Sequence, residues 1–403
     1  MASIIYVTRD IERALGKTPE GDYHIITNRT SYAEEIQKRH PNNVFLIDSK
    51  ELLDTHEILT LPEVKEIIQR LHAHIIVFKN TIHIEQLCKE NNWTLLNPSA
   101  KLSEKIENKI TQVDWLNELA SLLPPHAILP TKDILWQKKA FVLQWSHGHT
   151  GGGTLLIQNE NDLKDLQQKF PFREARVTDF IKGPMFTVNI VITNTTILLG
   201  NISYQVTGML PFTDNPFSTI GNDWSVTHTI LNEAHIKRFE EIAEKVGQKM
   251  QSDGWKGLFG IDVIYDEERD MMHLIEINAR QPASTTFESE IQTSMRKEGV
   301  PGITAFEAHC NSLQDIPVAS ALIPINDGAQ VVQRLTEVLL LKNEKENQYL
   351  FNTNKLIDSG YKVISYQNTK PNDDLLRIQS MQGIMETHNK LNGRGKEIVE
   401  SLL

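Results

Sequence analysis

Asp262, Glu276 and Asn278, with Arg280 just beyond, are the side chains of this sequence best placed to do chemistry together. Apolar-patterned runs flank the polar turn from Asp266 to Asp270, which predicts a β-hairpin. Side chains alternate along a strand, so Glu276 and Asn278 share one face while Ile275 and Ile277 take the other. With the turn near Glu268 and Arg269, Asp262 falls opposite Leu274 to Glu276 on the neighbouring strand. Two carboxylates and an amide oxygen then converge from a rigid sheet. Carboxylates held together repel unless a positive charge sits between them. A hard, oxygen-preferring cation answers that need, Mg²⁺ above all, and Mg²⁺ usually arrives with a nucleotide's phosphates. Arg280 adds a planar donor fork suited to phosphate or carboxylate oxygens. The alternative, a solvated polar face, has to explain an acid, an acid, an amide and an arginine in register, followed at once by Pro282.

A second candidate is the run His147-Gly148-His149-Thr150-Gly151-Gly152-Gly153-Thr154. Glycine lets backbone N–H groups approach phosphate oxygens closely. The run lacks the Gly-Lys-Ser/Thr ending of a P-loop, and a strand follows where a P-loop starts a helix. It reads as a flap between two strands, able to close over a triphosphate, or as a plain glycine-rich turn. His147 and His149 are either contacts to phosphate or ordinary loop histidines.

The elements that must position these groups are legible in outline. Ser3 to Val7, Tyr23 to Thr27, Val44 to Ile47 and Ile75 to Phe78 read as short apolar strands. The stretches Leu61 to Leu71 and Ile82 to Asn91 read as helices between them, the alternation of a parallel α/β unit. No GxGxxG follows the first strand. A helix is expected from Ser103 to about Leu122, with Lys105 and Lys109 one turn apart at its margin and Pro124-Pro125 stopping it. Strands are expected at Ala140–Trp145, Leu155–Gln158, Ala175–Ile181, Thr187–Ile192 and Ile197–Tyr204, with a helix over Asp162–Phe170. Ile236, Phe239, Ile242, Ala243, Val246 and Met250 mark an amphipathic helix ahead of the metal hairpin. Gln205 to Trp224 reads as a long loop that shapes an acceptor pocket or simply packs through Phe217 and Trp224. Ser284, Thr285 and Thr286 suit a carboxylate or the cap of the next helix.

The chain has 403 residues, 40% of them apolar, with 52 acids against 41 bases and a formal charge of −11. That balance repels phosphate backbones, so nucleic acid is not an expected partner. Cys88 and Cys310 are the two cysteines, far apart, which argues against a disulfide framework or zinc site and fits a reducing cytosol. The first ten residues are too short an apolar run for a signal core, and no apolar run reaches membrane-spanning length. The expectation is a cytoplasmic protein with no membrane partner.

In order, Lys109, the flap, Asp179-Phe-Ile-Lys-Gly-Pro-Met-Phe-Thr-Val, and Gly-Ile-Asp262 leading to Ile-Glu276-Ile-Asn278-Ala-Arg280 resemble the ATP-grasp superfamily of carboxylate–amine and carboxylate–thiol ligases. The stretch 179–188 is similar to the hinge of its D-alanine–D-alanine ligase-like members. The resemblance implies an α/β (α+β) fold of four parts. Residues 1–100 form a Rossmann-like pre-ATP-grasp domain and 101–180 an N-subdomain, the lid, carrying the glycine-rich flap. Residues 181–325 form a C-subdomain whose antiparallel sheet holds the metal hairpin, and 326–403 a C-terminal extension. It further implies ATP with Mg²⁺, two ions rather than one and Mn²⁺ as a substitute, held by Asp262, Glu276 and Asn278. Lys109 would meet the α-phosphate or adenine side, Gly151, Gly152, Gly153 and Thr154 the β- and γ-phosphates, and Asp179 with the backbone of Phe180 and Ile181 the adenine edge. Arg280 would steady the transferring phosphoryl group.

Two departures stand out. Gln144 occupies the strand position where the family usually has lysine, and Met185 the place of a ribose-binding acid. A neutral hydrogen bond is weaker than a charge-assisted one by about 1 kcal/mol. The expected activity is ligation of a small-molecule carboxylate to an amine, or a thiol, through an acyl phosphate. Competing readings are a nucleotide sensor without turnover and a small-molecule phosphotransferase.

Overall fold

The stretch expected as one helix from Ser103 to Leu122 is three pieces: helix Ala100–Glu107, helix Thr111–Leu116 and a 3-10 turn Asn117–Leu122. Asn108 breaks it by taking an extended ψ of 119° and offering Oδ1 to the amides of Ile110 and Thr111. A side chain that competes with the helix for backbone N–H groups starts a new turn. Lys109 therefore sits in a joint between helices rather than on one. The structure, a computed structural model, describes residues 3–146, 153–337, 339, 353–366, 368 and 370–402. His147, His149, Gly151 and Gly152 lie outside them.

β1 (Ile4–Val7), β2 (Tyr23–Asn28), β3 (Val44–Ile47) and β4 (His74–Val77) form a parallel sheet in the order β3-β2-β1-β4. Ile4 and Tyr6 enter one core, Ile5 and Val7 another on the opposite face. With both faces covered, the strands have no need of polar alternation. Phe306, Cys310 and Leu313 of helix Ala305–Leu313 complete the first of these cores, which packs the N-terminal unit against the rest of the molecule.

β5 (His126–Pro130), β6 (Phe141–Trp145), β7 (Thr154–Ile157) and β8 (Glu174–Asp179) make an antiparallel lid sheet in the order β5-β8-β6-β7. Helix Glu160–Lys169 covers it through Leu163, packed with Leu143, Trp145 and Ile157. Trp145 N donates to Gly153 O at 2.9 Å, so β6 and β7 are held together at the base of the flap.

Among the described residues the largest sheet has nine strands: β9 (Met185–Ile192), β10 (Ile197–Leu199), β11 (Ser203–Thr207), β12 (Thr219–Asp223), β13 (Gly257–Asp266), β14 (Met271–Asn278), β15 (Ala329–Arg334), β16 (Lys362–Ser365) and β17 (Asp374–Ser380). The order is β14-β13-β9-β11-β12-β15-β17-β16, with β10 also on β9. The run Ile197–Tyr204, expected as one strand, is divided between β10 and β11. At the break Gly200 N donates to Asn189 O at 2.8 Å, and a Cβ there would lie 2.4 Å from that oxygen. The expected loop from Gln205 to Trp224 contains most of β11 and all of β12, with Trp224 buried beside Phe287.

The segment from 326 onward does not stand apart. β15 pairs with β12, and β17 and β16 extend the same sheet. Asp223 fastens the stretch beyond β17 by accepting from the amides of Ile384 and Met385 at 2.7 and 2.8 Å. Helix Glu233–Ser252, capped by Asn232 Oδ1 on His235 N at 2.9 Å, buries Phe239, Ile242, Ala243, Val246 and Met250 beneath the sheet. Its apolar spacing of three and four puts one stripe inward.

Candidate active site

β13 and β14 are antiparallel neighbours, and their register sets Asp262 opposite Glu276 and Gly260 opposite Asn278. Opposed residues on an antiparallel ladder share a face, so both acids and the amide project together. The register then shifts: Val263 pairs with Leu274, leaving Ile275 as the extra residue of a bulge. Simple alternation fails there. Leu274 and Ile277 enter the core, not Ile275 and Ile277. The carbonyl of Ile275 accepts from Arg176 Nη2 at 3.1 Å instead.

Asp262 is almost fully buried. Gln205 Nε2 donates to its Oδ1 at 2.7 Å and Asn278 Nδ2 to its Oδ2 at 3.2 Å. Burial, then the charge of Glu276, push the Asp262 carboxyl up to about 6. Burial also raises Glu276, but Lys109 prevails and holds it below the usual carboxylate range. Lys109 Nζ lies 2.6 Å from Glu276 Oε1. Burial lowers the lysine's own pKa against the opposing pull of Glu276.

Among the described residues no three His, Cys, Asp or Glu side chains gather as a metal cluster. The hairpin offers two carboxylates and an amide. That set fits Mg²⁺, which keeps water and phosphate oxygens in its remaining positions. Asn278 would offer its oxygen only by turning its amide, which gives up the long 3.2 Å hydrogen bond to Asp262.

Arg280 Nη1 donates to Glu107 Oε1 at 2.6 Å, and Lys79 Nζ bonds the other oxygen of the same carboxylate. Arg280 thus starts from an ion pair on helix Ala100–Glu107, beside the acids. Burial raises Glu107, yet Arg280 and then Lys79 hold it below the usual range.

On the lid, Gln144 and Arg176 are opposed on β6 and β8. Arg176 Nε and Nη2 donate to Gln144 Oε1 at 3.0 and 2.7 Å, and Nη1 to Gln112 Oε1 at 2.9 Å. Burial drives its pKa down to about 10, still a cation at neutral pH. The charge that the sequence lacks at position 144 is therefore present one strand away. Gln144 Nε2 reaches Thr154 Oγ1 at 3.3 Å, tying β6 to the start of β7. At the end of β8, Asp179 Oδ2 pairs with Lys139 at 3.0 Å. Phe180 and Ile181 follow outside the strand, between the lid and the large sheet. Met185 opens β9 and pairs with Ile264.

Arg176, Gln205, Glu107 and Lys79 were not singled out from the sequence. An arginine inside a short strand is a usable signal for the first. The others are joined to the site only by tertiary contacts.

Residues 106–284 match the family described as ATP-grasp domain. Over that stretch, a little under half of its length, the chain is similar to an ATP-grasp domain. Solved structures agree on the fold. Similar to this chain are N5-carboxyaminoimidazole synthetase from Staphylococcus aureus with ADP (TM-score 0.66, 14% identity, 100% of this chain and 97% of that one covered) and carboxyaminoimidazole ribonucleotide synthase from Aspergillus clavatus with ATP (0.66, 14%, 100% and 98%). The biotin carboxylase domain of 2-oxoglutarate carboxylase from Hydrogenobacter thermophilus, with MgADP and bicarbonate, is similar too (0.64, 12%, 95% and 86%). None of the curated proteins matches the sequence. The ATP-grasp match spans the site from Glu107 through Arg280, and the structural likeness extends over the N-terminal sheet and the strands after 325.

Proposed function

We propose that the chain is an ATP-dependent ligase that joins a small-molecule carboxylate to an amine, or less readily a thiol. The observation that carries this reading is the register of Asp262 with Glu276, with Asn278 beside them, met by Lys109 from the joint between two helices and by Arg176 from the lid. Asp262, Glu276 and Asn278 would hold Mg²⁺, as two ions or one, and the bound cation would supply positive charge to offset that of the ATP phosphates. Arg176 and Lys109 provide the cationic wall for the phosphates, Gly153 and Thr154 stand at the base of the flap, and the segment Asp179–Ile181 receives the adenine edge. Lys109 shares Glu276 with any arriving cation, so nucleotide entry exchanges one counter-charge for another.

In the first step a substrate carboxylate oxygen attacks the γ-phosphorus, the bond to the β-bridging oxygen breaks and ADP leaves. The acyl phosphate so formed has a good leaving group where the carboxylate had none. The amine then attacks the acyl carbon, phosphate departs and the amine gives up a proton. Arg280, released from Glu107, offsets charge on the transferring phosphoryl group.

ADP release on a panel of carboxylic acids, with hydroxylamine present to capture acyl phosphate as hydroxamate, tests the reading. Acid-dependent ADP and hydroxamate are expected. If no acid yields either, ligation is excluded. The sensor reading rests on Gln144 and Met185. Arg176 removes the first of these supports, so the catalytic reading is preferred.

A further inference from the structure

Arg280 lies two residues beyond β14, where the hairpin no longer holds the backbone, since the last pair of the ladder is Gly260 with Asn278. What fixes the chain there comes from other elements. On one side Ser103 Oγ, from helix Ala100–Glu107, donates to Ala279 O at 2.7 Å. On the other side stands Gln281, 2% exposed, and its hydrogen bonds run to the N-terminal unit. Its backbone N donates to Phe78 O at 3.3 Å and its Nε2 to Arg13 O at 2.8 Å, while its Oε1 accepts from the Tyr6 hydroxyl at 2.7 Å. Arg13 belongs to the turn Ile11–Ala14 and Tyr6 to β1, so the grip comes from the far end of the chain.

The amide has one workable orientation. Arg13 O can only accept, so it takes Nε2, and Oε1 is left for the hydroxyl. Tyr6 is fully buried, and burial raises its pKa, which keeps the proton on this donor. An apolar core already joins the N-terminal unit to the rest through Phe306, Cys310 and Leu313. A buried amide adds little adhesion to such a core, because its bonds replace those it would make to water. What it adds is placement: it is satisfied in one position and penalised in any other. Arg280, its neighbour in the chain, is placed along with it. Phe78 supports the arginine from the same side, its ring centroid 5.9 Å from the Arg280 guanidinium and 4.5 Å from that of Arg13. Lys79, the next residue, bonds the second oxygen of Glu107, so that carboxylate keeps a counter-charge when Arg280 leaves it.

We infer that Gln281 is a positioning residue: gripped by Tyr6 and Arg13, it holds the Arg280 backbone still while the arginine side chain passes from Glu107 to the transferring phosphoryl group. The N-terminal unit thereby takes part in phosphoryl transfer through the Tyr6 hydroxyl, which touches nothing that reacts. The inference rests on the function proposed above for the task of Arg280, but the placement of Arg280 can be read without ligation.

Aluminium fluoride bound beside Mg-ADP stands in for the transferring phosphoryl group, so the test needs no acid substrate. The full chain is titrated by calorimetry with Mg-ADP, with and without aluminium fluoride. In the wild type the fluoride should tighten Mg-ADP by about tenfold or more, and Arg280→Met should lose that gain. Gln281→Met keeps the length and removes both side-chain bonds, and should lose most of the gain. Tyr6→Phe should lose about a threefold part of it, and Mg-ADP alone should stay within about twofold of the wild type in both. Tyr6→Phe added to Gln281→Met should bring no further loss, because the hydroxyl acts through that amide. Leu313→Ala loosens the same core without touching Gln281 and should keep the gain, while urea unfolding records the stability each variant gives up. A gain that survives in Gln281→Met, a wild type without any gain, additive losses in the double variant, or an equal loss in Leu313→Ala overturns the inference. If the gain behaves as stated and no acid yields ADP or hydroxamate, the positioning of Arg280 stands and ligation falls.

Discussion

Lys109 Nζ rests 2.6 Å from Glu276 Oε1, and among the described residues it is the single cation within ion-pair reach of either Glu276 or Asp262. It supplies the positive charge that two facing acids require in the absence of a metal ion. In the proposed function lysine and metal compete for that one carboxylate, while lysine and nucleotide phosphate cooperate.

Replacing Lys109 with Met separates these effects. Free Mg²⁺ should bind more tightly than in the wild type, because its competitor is gone. Mg-ATP should bind about tenfold or more weakly, the value of one charge-assisted hydrogen bond. Calorimetry with MgCl2 alone and with a non-hydrolysable Mg-nucleotide reads both. Parallel changes in the two affinities would contradict the arrangement.

Asp262→Asn should reduce acid-dependent ADP release by more than about a hundredfold. The metal-free variant should nevertheless be no less stable than the wild type at pH 8. Burial and Glu276 raise the Asp262 carboxyl to about 6, so its ionised form is held at a cost that asparagine does not carry. A thermal melt beside the ADP assay measures the pair. A strongly destabilised variant would mean that Asp262 holds the sheet together rather than serving a ligand.

Arg176→Met strips the donors from Gln144 Oε1, Gln112 Oε1 and Ile275 O at once. Buried acceptors left unmet make the expected loss about 2 kcal/mol in urea unfolding. The KM for ATP should rise as well. Arg176→Lys retains the charge but not the fork, so it should keep more of the nucleotide affinity than of the stability.

His309 gives the fold an acid limit. It is buried, accepts from Leu258 N through Nδ1 at 3.0 Å, and burial lowers its pKa to about 3. The unfolded chain binds a proton near pH 6.5 that the folded chain refuses until about 3. The stabilising contribution is therefore complete above pH 6.5 and falls as pH drops towards 3, by at most about 1.4 kcal/mol per pH unit. His309→Asn keeps an acceptor for Leu258 N and should flatten that slope in urea titrations between pH 7 and 4. An unchanged slope would assign the acid sensitivity elsewhere.

The hairpin was legible because it is local. Glu276 and Asn278 lie on one strand, and a short turn brings Asp262 opposite them. The bulge at Ile275 was not legible, because a register shift leaves no mark in the polar–apolar pattern of either strand. The single helix expected over 103–122 is broken for a related reason. Its apolar stripe persists through Asn108, and only the side-chain bonds of Asn108 to Ile110 and Thr111 show that the backbone turns there.

By itself the sequence determined the α/β alternation of the first hundred residues, the antiparallel hairpin and the acid, acid and amide it carries. Local spacing and alternation are enough for these. Tertiary structure alone decided that the Arg176 guanidinium lies against Gln144, that Arg280 pairs with Glu107, and that strands after residue 325 continue the sheet. It also brought the Tyr6 hydroxyl to Gln281. Such pairings join segments distant in sequence, and their partners are chosen by which buried charges and amides can satisfy one another once the sheets are packed.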